Sequence, residues 1–202
     1  GVVALLIVLF FVNFIGQSLT PILPLHLGVL GIPSSRLASA TGVLISAYSL
    51  AAATSAWYLG RLSRTRPPRG LLLLTLVGGA AVVAPMALVP SFELLLGLAV
   101  LLGLVSGGSL TLCYTFGGLM VPEAVRTTAF GFFSGAALFG GALSPTVAGL
   151  VAHASLRGIY WVDAAIYVAL AVALARGSVL RPPLREDARE LLLVAAGRKQ
   201  AR

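Results

Sequence analysis

The chain has 202 residues, 58% of them hydrophobic and 10% charged, against roughly 25% charged in soluble domains; its mean hydropathy is +1.01. These proportions exclude an ordinary water-soluble domain and fit an integral membrane protein. The net charge of +8 does not point to nucleic acid, because the arginines avoid the apolar runs and gather in short connections and at the C-terminal end.

The first apolar run predicts a helix over residues 2–27, long enough to cross ~30 Å of hydrocarbon, which takes roughly 17 to 25 residues. No charged residue occurs in positions 1–35, yet FVNFIGQSLTPILPL (11–25) holds Asn13, Gln17, Ser18 and Thr20 and then Pro21 and Pro24. At 100° per residue, Asn13, Gln17, Thr20 and Pro24 fall within an arc of about 60° on one face. Such a face is costly against lipid and should look at protein or at a water-filled cavity. The prolines remove backbone donors and predict a bend or a broken turn. Hydrogen-bonded glue between helices is the alternative to a cavity; the alignment of amides, hydroxyl and proline favours the cavity. Residue 1 is Gly, with no charged segment before the apolar run, so the chain is expected to lack its natural start.

A second helix is predicted over 38–59, with Thr41, Tyr48 and Ser55 at seven-residue spacing, a pattern that packing or a polar path would each explain. A third follows over 71–89. The fourth, over 94–120, places Gly103, Ser106, Gly107, Cys113, Tyr114 and Gly117 on one side, with Ser109 at its edge. Small residues there either admit a neighbouring helix or leave room for a ligand; Tyr114, a large ring with one polar handle, favours the ligand. The fifth helix, over 130–152, carries a stripe of Gly131, Gly135, Ala142, Pro145 and Gly149, whose spacing marks close helix contact. Both a sliding interface and static packing satisfy it.

The sixth helix is predicted over 156–175. Asp163 is the one acid placed inside a span, near a helix N-terminus where its charge is favoured; a structural role is preferred to a proton relay. Tyr160 and Trp161 are expected as interfacial anchors, and His26 and His153 as solvated groups near outer ends of spans. The lone cysteine, Cys113, excludes an intramolecular disulfide. No metal and no cofactor is expected. Residues 176–202 form a polar, basic tail, within which LLLVAA (191–196) is too short to span and is expected as a surface helix.

Connections are short and rich in turn residues: GIPSSR, GRLSRTRPPRG, PSFE, VPEAVRTT and HASLRG. One side of the predicted bundle holds Arg61, Arg64, Arg66, Arg69, Arg126 and seven basic residues of the tail; the other holds only Arg36 and Arg157. Twelve against two places both ends of the chain in the cytoplasm. Thirteen arginines against one lysine fit a GC-rich bacterial source, and hence an inner (plasma) membrane location. The fold expected is an all-α membrane protein of six transmembrane helices, a bundle over 1–175.

Four pieces, in order, resemble the C-terminal six-helix half of a major facilitator superfamily transporter, most closely its drug:proton antiporter branch. QSLTPILPLHLGVLGI followed by ATGVLISAYSLAAATSAWYLGRLSRT is similar to the family's seventh and eighth helices. GRLSRTRPPRG, with Gly60 and Arg61, stands where its glycine-and-basic loop is expected. VPEAVRTTAFG resembles the cytoplasmic loop before helix eleven, and GGALSPTVAG, with Gly141, Pro145 and Gly149, the helix after it. The resemblance covers about residues 2–175. The family's loop usually has an acid four residues after its first glycine, where this chain has Arg64. The fourth helix of a first half normally has an arginine four residues before a glycine; here Gly103 precedes Gly107, which marks a second half.

The resemblance implies a carrier in which two six-helix bundles enclose a midplane site and expose it alternately. Helices one and four would then line the path through Asn13, Gln17, Thr20, Tyr48, Ser106, Ser109 and Tyr114. Helices two and five would meet the missing N-terminal half, with Pro21, Pro24, Gly60, Arg61, Arg64, Gly131, Gly135, Gly141, Pro145 and Gly149 serving packing or gating. The expected partners are a small-molecule substrate, the lipid bilayer and that other half. Efflux of drug-like or amphipathic compounds coupled to protons leads the readings, the coupling acids lying in the other half. A sugar or metabolite carrier of the same fold is the alternative. A six-helix intramembrane protease built on Ser106 and a non-transporting membrane subunit rank below it.

Overall fold

A computed structural model describes residues 1–176; the expected surface helix at 191–196 and nearly all of the tail lie outside the described residues. The fold is all-helical among them, and the elements follow from the punctuation of the sequence. Helix α1 (Val2–Ser18) and helix α2 (Leu23–Val29) together make the first span, bent by 40° at the break between them. Pro21 sits in that break and Pro24 in the first turn of α2, where a missing N–H costs nothing. The single helix expected over 2–27 is therefore two. Helix α2 ends in a Schellman turn: Gly31 takes φ +84°, its N–H reaches the Gly28 carbonyl, and the Ile32 N–H reaches that of Leu27.

Helix α3 (Ser34–Leu62) starts directly after Pro33 and absorbs the second half of the GIPSSR connection. Helix α4 (Pro68–Met86) opens on a proline. Helix α5 (Phe92–Ser106) is capped by Ser91, whose Oγ accepts the Leu94 N–H at 3.4 Å, and Glu93 sits in its first turn. Helix α6 (Ser109–Met120) continues the same span after an interruption at Gly107 and Gly108. A short 3₁₀ turn, Glu123–Val125, leads into α7 (Arg126–Ala154), and α8 (Gly158–Ala175) closes the bundle.

With the bent pair taken as one span, six segments among the described residues are long and apolar enough to cross a membrane. Lipid offers no hydrophobic drive between helices, so association depends on close approach of small residues. The principal pairs are α1 on α7, α3 on α5 and α4 on α8. Gly140 of α7 lies against the backbone of Phe10, and Gly103 of α5 lies so near α3 that an added Cβ would stand 2.6 Å from the Tyr48 carbonyl oxygen. A central core of leucines, Leu5, Leu9, Leu72, Leu76, Leu95 and Leu112, is fully buried. The spans of α3 and α7 are the least covered by other helices.

A candidate functional site at the broken first span

The break in the first span opens a cavity of about 280 Å³. Residues beside and within the break supply one wall: Ile15, Gly16, Gln17, Leu19, Thr20 and Leu23. Leu44, Ile45, Tyr48 and Ser49 of α3 face them, and Met86, Ala99, Leu102 and Tyr167 come from α4, α5 and α8. Its polar side chains are one amide, two aliphatic hydroxyls and two phenols, and no lining residue is charged. The geometry has a simple cause. Pro21 has no N–H to continue α1, so the chain turns away and leaves the last turn of α1 without a helical neighbour above it.

Of the residues expected along a polar path, Gln17, Thr20 and Tyr48 line this cavity. Asn13 does not; its Nδ2 donates to the Ala137 carbonyl of α7 at 2.6 Å, joining two helices. Ser106 is buried and donates to the Leu102 carbonyl at 2.7 Å. Ser109 is buried and donates to Thr75 Oγ1 at 2.9 Å, tying α6 to α4. Tyr114 stacks on Phe130 with centroids 5.9 Å apart and reaches Ser134 Oγ at 3.4 Å. These four lie outside the cavity. Gly103 and Gly107 leave no room for a ligand, because α3 fills the space over both.

The residues expected in packing or gating separate into two groups. Gly131, Gly135 and Gly149 have no atom within 4 Å of an added Cβ, and with Pro145 they form an exposed strip on α7. Gly141 instead faces inward, with Asn13 Nδ2 2.9 Å from its added Cβ. Gly60 lies near Thr111, 3.5 Å from such a Cβ. Arg61 stands over the Trp57 ring at 5.9 Å, and Arg64 is exposed in the turn after α3. Arg69, on the same side, donates to the Leu174 carbonyl at 2.7 Å and so caps the C-terminus of α8.

Several groups beside the cavity escape a reading of residue type and spacing. Ser18 lies about 140° around the helix from Asn13, off the polar stripe, and points to α8, where its Oγ is 2.5 Å from Asp163 Oδ2. His26 is not solvated but 3% exposed, and its Nδ1 is 2.5 Å from the Tyr160 hydroxyl. Tyr160 is accordingly no interfacial anchor; it is fully buried, whereas Trp161 is 52% exposed. A buried tyrosine hydroxyl usually finds a hydrogen-bond partner, and His26 of α2 is that partner here. The signal available was Asp163 itself: Tyr160 and Tyr167 stand one turn to either side of it on one face of α8.

Known proteins give a consistent picture. The sequence profile described as Major Facilitator Superfamily matches residues 3–198. The multidrug resistance protein MdtG of Proteus mirabilis (strain HI4320) is 31% identical over 167 residues, which is 80% of this chain and 42% of that protein. The chain thus spans less than half the length of the curated relative it matches.

Proposed function

The chain belongs to the major facilitator superfamily, and on that premise we propose that it forms one six-helix wall of a secondary carrier for small amphipathic molecules. The observation that carries this reading is the cavity at the first-span break, apolar for the most part, with an amide, hydroxyls and phenols but no charge. A site of that kind binds by area and orients by a few polar contacts, which suits neutral or amphipathic ligands. The multidrug resistance name of the Proteus relative supports efflux of drug-like compounds as the direction and class. Family membership sets the chain among transporters, and Ser106 gives its hydrogen bond to a backbone carbonyl rather than to a histidine, which removes the support for a serine protease.

In this reading a second six-helix bundle completes the carrier and covers the exposed faces of α3 and α7, and the site is exposed to each side in turn. In the same reading the turns after α3 and before α7, which carry the basic residues, lie on the cytoplasmic side of the inner membrane. Proton coupling supplies the energy. The test is uptake and efflux of amphipathic dyes by cells making the full natural protein. Gln17→Ala and Tyr48→Ala each remove a polar contact worth about 0.5–1.5 kcal/mol, so the half-saturating substrate concentration should rise about two- to tenfold at unchanged membrane level. Unchanged transport of every dye in both variants would sink the assignment of this cavity.

A further inference from the structure

The carrier reading leaves unused the acid that the bundle buries most completely. Asp163 lies in the second turn of α8 and is 0% exposed. Among the described residues its hydrogen-bond partner is Ser18, through Oδ2, while Oδ1 has none. Ser18 is fully buried too, and its Oγ also lies 2.9 Å from the Ile15 carbonyl oxygen.

Counting hydrogens at this junction separates the two protonation states. A serine hydroxyl holds one hydrogen. If Asp163 is a carboxylate, it competes with the Ile15 carbonyl for that hydrogen, and one of the two contacts becomes acceptor against acceptor. Oδ1 is then a buried anionic oxygen with no donor. If Oδ2 carries a proton, the acid donates to Ser18 Oγ and Ser18 donates onward to Ile15, so both contacts are hydrogen bonds. What remains unpaired is a neutral carbonyl oxygen, a far smaller penalty than a bare charge.

Among the described residues, no cation offsets the ionised form. Ser18 faces Asp163 from α1 and Tyr48 from α3, with Tyr160 and Tyr167 on α8 itself. His26 of α2 bonds the Tyr160 hydroxyl, and Arg157 acts on His26 rather than on the acid. Helices α4 and α7, which also pack on α8, bring no charged group to it.

We propose that Asp163 is a proton-binding site, occupied in this packed arrangement and emptied to water through the break between α1 and α2. Ionisation requires a donor at Oδ1, and water supplies one along a short route. Gln17, Leu19 and Thr20, beside Ser18, line the cavity, as does Tyr167, one turn along α8 from Asp163. On release the Oδ2 proton passes to water and the site gains one negative charge, which only the hydrated arrangement accommodates; rebinding reverses both changes. Use of this exchange to drive transport rests on the carrier reading, whereas the proton site does not.

The test is an infrared titration of the purified natural protein in lipid nanodiscs. A carbonyl band of a protonated carboxylic acid should fade as pH rises and be missing in Asp163→Asn. In Ser18→Ala, which removes the acid's hydrogen-bond partner, the same band should shift in frequency, and this variant keeps the test alive if Asp163→Asn does not fold. Absence of any band lost in Asp163→Asn, or a band that never titrates while the protein stays folded, overturns the proposal. A titrating band in a protein that moves no substrate leaves the proton site standing and removes the carrier reading. Transport without any Asp163 band does the reverse.

Discussion

Two spans of this bundle are interrupted, and the interruptions do opposite things. In the first span, Pro21 ends the hydrogen-bonded ladder and the chain swings aside by 40°, leaving Gln17 and Thr20 on the wall of a cavity. In the fourth, Gly107 and Gly108 interrupt the helix between α5 and α6, and no space results. A Cβ on Gly107 would strike the backbone of Ala52, and one on Gly108 would come 2.5 Å from Leu59 Cδ1. Proline breaks a helix by removing a donor and adding bulk, which pushes the chain away from its line. Glycine removes bulk, and in a membrane a neighbouring helix takes up the room. A proline break makes a void, and a glycine break makes a contact.

One substitution made at both breaks tests this contrast. Gly107 has helical dihedrals, φ −59° and ψ −25°, so alanine meets no backbone strain there and its whole effect is steric. The obstructing atoms are Cα and Cβ of Ala52 on α3 and the Gly103 carbonyl oxygen of α5, none of which has a rotamer to change. Gly107→Ala should therefore destabilise by about 1–3 kcal/mol, the usual cost of overpacking, read as a lower unfolding temperature in detergent. An unfolding temperature equal to the wild type would show that α3 and α5 do not meet as described.

The companion change is Gly16→Ala, one turn before the first break. No atom lies within 4 Å of its added Cβ, and the residue is in the last turn of α1, where glycine costs up to about 0.5–1 kcal/mol relative to alanine. Stability should rise by roughly that amount. The new methyl group enters the cavity that Gly16 lines, so the largest substrates should bind less well while small ones do not change. A loss of stability would mean that the first break is as closely packed as the second.

The same contrast explains what could be read from the chain before its fold. The six spans, the basic side and the interruption at Pro21 are each written in single residues with one physical meaning: a charge, a long apolar run, a missing donor. The stripe of Gly103, Ser106 and Gly107 has two meanings, close packing or open space, and only the position of α3 chooses between them. Asp163 was legible as unusual, but its partner Ser18 is 145 positions away, and no local period links them. His26 was misjudged for the same reason, since its place at the end of a span suggests water while Tyr160, 134 positions on, supplies a buried partner. Pairings between distant helices are where local reading stops.

Asn13 is the smallest and most discriminating case, because it shares the polar stripe with Gln17 yet serves a different end. Its Nδ2 bonds the Ala137 carbonyl, a contact between α1 and α7 that lies outside the cavity. Interhelical hydrogen bonds in membranes average about 0.6 kcal/mol, and Asn13→Ala should cost roughly that in stability. It should leave the half-saturating substrate concentration where it is, in contrast to Gln17→Ala one turn later. Thermal unfolding and dye transport measured on both variants separate the roles. If Asn13→Ala weakens transport as much as Gln17→Ala without lowering stability, then the polar stripe acts as one path, and the division made by the break is wrong. If stability falls and transport holds, the stripe is two things joined by sequence alone, a clamp before the break and a wall beside it.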